Sequence, residues 1–204
     1  EPTLTAVQWG DLAGGSLHAV TGILAAEIQR RETGTGQHID ISMTDAAFSM
    51  HALTAPPALV GSEEPKLEET QLNGGSFYDY YRSREGRWFS VGSLEPVFMR
   101  ALCEALGRPE LAKRGLSPHP ADQMALKHEL EIEFERRSFD ELVALFADID
   151  ACVEPVLSFS EAVRHPQLQA RQVVTQVPRG DGTSQPQMAC PLKFSQGLLL
   201  VLLH

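Results

Sequence analysis

The stretch WGDLAGGSLHAVTGILAAEIQRRETGTGQHIDISMTD, Trp9–Asp45, sets an aspartate before a Gly-Gly pair and a long amphipathic pattern. Its apolar residues recur at helical spacing, so residues 12–32 are predicted to form a helix with one apolar face. Gly34 is well placed to end that helix. Asp11 stands where a helix cap is expected, because Asp is among the preferred N-cap residues. Asp11 is therefore a candidate both for capping and for chemistry.

Shorter patterns follow this helix. Residues 37–42, QHIDIS, alternate polar and apolar side chains, which predicts a short strand. Residues 43–55, MTDAAFSMHALTA, predict a second helix that is ended by Pro56-Pro57. Residues 61–75 are rich in acids, glycines and turn formers, so they predict a linker or surface loop.

The remaining chain mixes strand and helix patterns. Aromatic and β-branched residues flank the segment Arg84-Glu85-Gly86, which predicts a β-hairpin. Ser138, with Glu141 three residues later, forms a capping box and predicts a helix start. Further helices are predicted over 95–107, 123–137 and 159–165, and strands over 152–158 and 172–178. The mixture predicts an α/β protein, and the charged run 127–137 is interpreted as a solvated helix face.

The composition is that of an ordinary globular protein. Of 204 residues, 43% are hydrophobic and 22% are charged, with a formal net charge of -10. Because no Lys/Arg run is present, nucleic acid is not an expected partner. The three cysteines are far apart and lack metal or disulfide spacing, so no metal is expected and a reducing, cytoplasmic location is predicted. The apolar run GLLLVLLH, residues 197–204, is too short to span a membrane, which takes about 20 apolar residues.

Three stretches together resemble a known enzyme family. They are GDLAGGSLHAVTGILAAEIQRRETGTGQHIDISMTDA (10–46), FYDYYRSREGRWFSVGSLEPVFMRALCEALG (77–107) and CVEPVLSFSEAVRHPQLQARQVV (152–174). In order and spacing they are similar to class III CoA-transferases, the CaiB/BaiF family, which includes carnitine CoA-transferase, formyl-CoA transferase and α-methylacyl-CoA racemase. The resemblance covers nearly the whole chain.

The resemblance implies an α/β fold with two domains. Family members form interlocked dimers, in which each chain has a large Rossmann-like domain and a smaller α+β domain. By this comparison residues 1–60 are part of the large domain, 61–75 a linker, 76–185 the small domain and 186–204 a return segment towards the large domain. The chain begins at Glu1 without a signal-peptide pattern. By the family comparison, the chain is expected to be a fragment that lacks the N-terminal part of the large domain. The same comparison makes a homodimer the expected assembly.

The same resemblance implies a catalytic residue in the opening stretch. The aspartate of the family's GD-x-x-G-G pattern is its catalytic carboxylate, and here it is Asp11. Gly14 and Gly15 are expected to let a bound thioester come close to the backbone. Leu94, in the later SLEP motif, is expected to contact the substrate as well.

The SLEP motif, Ser93 to Pro96, indicates the subgroup. In α-methylacyl-CoA racemases a glutamate occupies the position of Glu95 and pairs with a histidine, which here would lie before Glu1. Formyl-CoA transferases instead have a glycine-rich loop at the start of the small domain. The corresponding LNGGSF, residues 72–77, has only two glycines, which favours the racemase subgroup.

The predicted reaction is racemisation of 2-methylacyl-CoA thioesters through an enolate. A racemase needs acid/base groups on both sides of the α-carbon. Asp11 would serve one face, and the histidine held by Glu95 would serve the other. Backbone N–H groups at the helix N-terminus beside Asp11 suit the enolate charge. CoA enters as part of the substrate, and no separate cofactor or metal is expected.

Two alternatives stay open at the level of sequence. In one, the protein moves CoA between carboxylic acids, and Asp11 acts as the nucleophile that forms an aspartyl-CoA thioester. In the other, the chain is a non-catalytic dimerisation fragment, because the part that it lacks carries most family contacts to the CoA nucleotide.

Overall fold

The chain, represented by a computed structural model, divides into two compact units. The structure describes residues 6–61, 63–64, 66 and 68–195. The units are Glu1–Thr70 and Gln71–His204, and their division falls inside the predicted linker 61–75. The assignment of these units to family domains stays a prediction. The apolar run 197–204 and the end of the predicted return segment lie outside the described residues.

The described part of the first unit is helical. Its elements are a π-helix over Trp9–Ser16, α1 over Leu17–Thr33, α2 over Met43–Ser49 and α3 over Ala55–Gly61. Gly34 ends α1 as predicted, because it adopts the left-handed conformation (φ 74°) and its N–H donates to the Arg30 carbonyl. The helix predicted over 12–32 is therefore present, but its first part has π geometry.

The strand predicted over 37–42 is wrong. These residues are extended, yet they belong to no sheet, and no strand occurs in the described part of this unit. Ile39 and Ile41 instead turn towards α1, where a Cβ added at Gly22 would lie 3.2 Å from each side chain. The alternation of apolar residues is thus used to pack on a helix. A strand also needs a hydrogen-bonded neighbour, which the described residues here do not provide.

The prediction that Pro56-Pro57 ends a helix is also wrong, because these prolines lie in the first turn of one. Helix α2 ends at Ser49, before a turn, and Pro56 and Pro57 occupy the first turn of α3. A proline is tolerated there because the N–H groups of a first turn have no helical partner in any case.

Helix α1 carries the predicted apolar stripe but does not bury it. Leu17, Ile23 and Ile28 are all more than half exposed. The buried residues of the described part of this unit are Gly14 and Ala46, which lie where the π-helix meets α2.

The second unit combines two small sheets with five helices and a 3₁₀ segment in its described part. In chain order these are β1 (Asp79–Arg82), β2 (Trp88–Val91), α4 (Pro96–Ala105), the 3₁₀ segment (Pro109–Leu116), α5 (Pro120–Glu135), α6 (Phe139–Phe146), β3 (Val153–Pro155), α7 (Phe159–Arg164), α8 (Pro166–Ala170), β4 (Val174–Pro178) and β5 (Ser184–Met188). The first sheet has the order β1-β2-β3, with both pairs antiparallel. The second is the antiparallel pair β4-β5.

The core of this unit forms where α5 packs on the first sheet. Phe134 of α5 stacks on Tyr81 of β1 at 5.1 Å between ring centroids, and it contacts Phe89 of β2 at 6.0 Å. On its other side it stacks on Phe146 of α6 at 6.1 Å. The Tyr81 hydroxyl donates to the Phe77 carbonyl at 2.6 Å, and burial raises the pKa of Tyr81. One ring thus joins two strands and a helix.

Most local predictions for the second unit are confirmed. Arg84–Gly86 lie in the turn between β1 and β2, and Gly86 is left-handed (φ 81°). Gly107 is left-handed after α4 (φ 76°), and the Ser138–Glu141 capping box forms. Two predictions were incomplete, because α8 begins at Pro166 where the helix was expected to end, and β5 pairs with β4.

The interpretation of the charged run 127–137 as a solvated face is wrong at Glu133. This side chain is 4% exposed and binds three guanidinium groups. Arg108 and Arg137 each approach it at 2.9 Å, and Arg136 approaches it at 2.7 Å. Burial alone would raise the pKa of Glu133, but the hydrogen bonds from Arg137 and Arg108 outweigh burial and hold that pKa below its usual range. The carboxylate therefore ties the end of α5 to the residues before the 3₁₀ segment and α6.

We predict that Glu133→Ala lowers the free energy of unfolding of the second unit by about 3 kcal/mol, because it removes the buried carboxylate that Arg137 and Arg108 bind. In wild type this stabilisation is complete above the unfolded-state pKa of about 4.3 and is lost as the pH falls through the lower folded-state pKa. The difference between wild type and variant should therefore shrink below about pH 4. Urea unfolding in a Trp9→Phe background, followed by Trp88 fluorescence, reports on this unit.

Glu135→Ala is the matched control. Glu135 is exposed, lies two residues away on the same helix, and forms no recorded ion pair in the described residues. Its removal should change the free energy of unfolding by less than about 0.5 kcal/mol. Equal effects of the two variants would show that the Glu133 cluster does not stabilise the unit.

Candidate active site

Asp11 lies in the first turn of the π-helix Trp9–Ser16. The i to i+5 geometry is visible at Leu17, whose N–H donates to the Leu12 carbonyl. The Ser16 hydroxyl donates to the Asp11 carbonyl at 2.9 Å, again five residues apart. π-Helical turns are rare in proteins as a whole, but those that occur often lie at functional sites. The wider turn was not predicted, because a sequence rich in glycine fits a π-turn and a loop equally well.

The carboxylate of Asp11 is not a helix cap. The N-cap position is occupied by Gln8, and Asp11 is exposed. No hydrogen bond or ion pair of its side chain is recorded within the described residues. The capping alternative drawn from the sequence is therefore wrong, and this carboxylate forms no hydrogen bond or ion pair that would stabilise the described part of the chain.

Gly14 and Gly15 bring the π-helix close to α2. A Cβ at Gly14 would lie 3.4 Å from the Met43 carbonyl oxygen and 3.8 Å from the Ala46 Cβ. A Cβ at Gly15 would lie 3.2 Å from the Met43 Cγ, which is tighter than ordinary contact. Helix packing is thus a sufficient reason for both glycines, and their predicted contact with a thioester stays a prediction.

Glu95 occupies the N-cap position of α4, but its side chain does not cap the helix. Its backbone is extended (φ -73°, ψ 142°), Pro96 follows at the first helical position, and the side chain makes no capping hydrogen bond. Glu95 is exposed, and no ion pair of its carboxylate is recorded in the described part of the chain. Leu94, expected to contact substrate, is half-buried and packs against the core of the second unit.

The structure places Asp11, Gly14 and Gly15 in the first unit and Leu94 and Glu95 in the second. Both carboxylates are exposed, both lie at the start of a helix, and neither forms an ion pair with a cation among the described residues. An ionised carboxylate without a partner is free to accept a proton or to attack an acyl group.

Sequence reasoning missed the surroundings of Glu95. Cys152, 57 positions later in the chain, lies close enough for the Glu95 charge to act on it. The pKa of Cys152 is raised by burial first, and then by the charges of Asp150, Glu95 and Glu154. No local signal in the sequence could connect these residues, because the turn before β3 brings them together.

Within the described residues, no group of three or more His, Cys, Asp or Glu side chains is arranged to hold a metal ion. In the same residues, no helix has both the length and the apolar character needed to cross a membrane.

Comparison with known proteins identifies the family. The sequence model of CoA-transferase family III matches residues 1–200. The chain belongs to CoA-transferase family III. It is 32% identical over 158 residues to an α-methylacyl-CoA racemase of Mus musculus, covering 76% of this chain and 41% of that protein. It is 30% identical over 176 residues to an acetyl-CoA:oxalate CoA-transferase of Acetobacter aceti, covering 80% of this chain and 43% of that protein.

A solved structure shows the same family III fold. A CaiB/BaiF family protein of Brucella suis superimposes with a TM-score of 0.70 at 28% identity, covering 96% of this chain and 51% of that chain. The resemblance predicted from the sequence is thus confirmed. The chain spans about half the length of the family III relatives that it matches.

We predict that Asp11→Asn and Glu95→Gln each change the free energy of unfolding by less than about 0.5 kcal/mol, because neither removes a recorded hydrogen bond or ion pair. Thermal unfolding followed by circular dichroism measures this. Ser42→Ala is the control, because the Ser42 hydroxyl accepts from the Asp45 N–H at 3.2 Å and caps α2. Its loss should cost about 1 kcal/mol. A comparable loss in Asp11→Asn would assign Asp11 a structural role.

Proposed function

We propose that the protein racemises 2-methylacyl-CoA thioesters, with Asp11 as a proton carrier at the α-carbon. The observation that carries this proposal is the similarity of the chain to α-methylacyl-CoA racemase over 76% of its length. The free carboxylate of Glu95 in the SLEP motif supports it. CoA is then part of the substrate, and the reaction uses no bound cofactor.

The position of Asp11 suits proton transfer. A carboxylate that is already paired must break that pairing before it takes a proton, and Asp11 makes no such bond in the described part of its unit. Gly10 and Asp11 belong to the first turn, whose N–H groups have no partner within a helix. These donors are suited to the negative charge that develops on the thioester oxygen of an enolate.

Glu95 serves the opposite face through a histidine in this proposal. A carboxylate beside an imidazole stabilises the imidazolium and fixes the orientation of the ring. Each turnover then moves one proton from the α-carbon to one group and returns one from the other. The net reaction inverts the α-carbon and leaves both groups ready to run in the reverse direction.

A CoA-transferase is the second candidate function. It is supported by the 30% identity to the acetyl-CoA:oxalate CoA-transferase. Asp11 would attack the acyl-CoA carbonyl as a nucleophile, giving an acyl anhydride and then an aspartyl-CoA thioester. This reaction needs the same exposed carboxylate, but it has no need of a second acid/base group at Glu95. The third alternative, a dimerisation fragment without activity, predicts neither reaction.

The test is α-proton exchange in D₂O, measured by mass spectrometry on 2-methylacyl-CoA with the complete product of the gene that encodes this chain. We expect wild type to incorporate one deuterium and Asp11→Asn to lose at least about 100-fold in exchange rate, as for removal of a general base. Glu95→Gln should slow exchange as well. Exchange by Asp11→Asn at the wild-type rate would refute the racemase proposal.

Trapping separates the two enzymatic candidates. Hydroxylamine or borohydride added during turnover should modify Asp11 in a transferase, because the aspartyl thioester is electrophilic. A racemase forms no such intermediate, so peptide mapping should find Asp11 unmodified. Asp45→Asn is a matched control, since Asp45 is an exposed acid in the first turn of α2 that no mechanism uses.

A further inference from the structure

The segment Gly92–Pro96, here called the SLEP loop, leaves the end of β2 and enters α4. Glu95 lies in this loop and belongs to no strand or helix. Its carbonyl accepts from the Met99 N–H at 3.0 Å, which fixes the helical side of the loop. On the strand side, the Gly92 N–H donates to the Cys152 carbonyl at 2.9 Å. The backbone of Glu95 is therefore anchored from both directions.

The side chain of Ser93 provides a third anchor for the loop. Ser93 is 0% exposed, and its hydroxyl donates to the Ala151 carbonyl at 2.5 Å. A buried hydroxyl is costly unless it is hydrogen-bonded, so this bond selects one placement of the loop. A single residue, the half-buried Leu94, lies between the anchored Ser93 and Glu95. The loop has little freedom to shift Glu95 while this bond holds.

The partner of Ser93 is itself held in an unusual turn. Cys152 adopts a left-handed conformation (φ 52°), which is uncommon outside glycine. Such a conformation persists only where neighbouring bonds fix it. Gly92 and Ser93 supply two of these bonds, to the carbonyls of Cys152 and Ala151. The SLEP loop and the Ala151–Cys152 turn thus hold each other in place.

We propose that Ser93 is a positioning residue, whose hydroxyl, bound to the Ala151 carbonyl, sets where the Glu95 carboxylate stands. The geometry rests on the hydrogen bonds of the second unit alone. Its relevance to catalysis rests on the proposed function, in which Glu95 orients an acid/base group. If Ser93 is removed, the loop loses its side-chain anchor and the carboxylate moves away from the Ala151–Cys152 turn.

The thiol of Cys152 provides a reporter for this position. The neighbouring charges of Asp150, Glu95 and Glu154 disfavour its thiolate. Removing or displacing the Glu95 charge therefore lowers the pKa of Cys152 and increases the thiolate fraction at a given pH. Of the other two cysteines, Cys103 is buried and Cys190 is exposed, so a Cys190→Ser background leaves Cys152 as the accessible thiol.

The first experiment measures the rate of Cys152 alkylation by iodoacetamide in the Cys190→Ser chain, at low salt and pH 7–9. We expect Glu95→Gln to raise the rate about twofold and Ser93→Ala to raise it in the same direction, because screening keeps a single surface charge effect small. Ser93→Thr, which keeps the hydroxyl, should restore the wild-type rate. Added salt should reduce the difference between wild type and Glu95→Gln.

Controls separate displacement of Glu95 from general loosening. Ser76→Ala removes another buried serine, whose hydroxyl donates to the Gln71 carbonyl at 2.8 Å, and it should leave the alkylation rate unchanged. In a Trp9→Phe background, Trp88 fluorescence confirms that each variant is folded. A wild-type alkylation rate in Ser93→Ala would overturn the proposal. A wild-type rate in Glu95→Gln would overturn it too, because the carboxylate would then not stand beside the thiol.

The second experiment uses the complete gene product and α-proton exchange. Ser93→Ala should lower kcat with little change in KM, and it should cause no further loss when combined with Glu95→Gln. Independent, additive losses would contradict positioning through Glu95. If Glu95→Gln exchanges at the wild-type rate while the alkylation results hold, the proposed role of Glu95 in catalysis fails and the positional role of Ser93 stands.

Discussion

Helix α5 places two adjacent side chains, Glu133 and Phe134, in the interior of the second unit, and the hairpin, the 3₁₀ segment and α6 are joined through them. Phe134 packs on both strands of the hairpin and on α6. Glu133 binds arginines that lie before the 3₁₀ segment and at the start of α6. Since successive residues of a helix point about 100° apart, one helix turn can fill an apolar core and close an ionic cluster at its border. The position of β2, and so of the SLEP loop that follows it, depends on this packing.

Sequence reasoning succeeded where the signal was local. The hairpin, the helix ended by Gly107 and the Ser138 capping box each depend on residues a few positions apart. It failed where a distant element decided the outcome. Glu133 resembles its solvated neighbours until Arg108, 25 positions earlier, is brought beside it. The alternation at Ile39 and Ile41 resembles a strand until α1 provides the surface that these side chains contact.

The candidate site was only partly accessible to the same reasoning. Asp11 and Glu95 were found through a family resemblance, because an acid before a helix is otherwise best explained as a cap or a dipole partner. The structure removes the capping explanation for both, since neither carboxylate makes a capping bond. The π-turn and the electrostatic effect of Glu95 on Cys152 had no detectable signal in the sequence.

The two proposed reactions make the same demand on Asp11 and different demands on the SLEP loop. Both need an exposed carboxylate that is free to bond to a proton or a carbonyl carbon, and the first turn of the π-helix presents one. Only racemisation needs a second group of fixed position, because a proton must return to the opposite face of a planar enolate. A loop held by three hydrogen bonds, one from a fully buried serine, gives Glu95 a more fixed position than a transferase would require of it. The position of Glu95 in this loop, more than the presence of Asp11, is what distinguishes the two proposals physically.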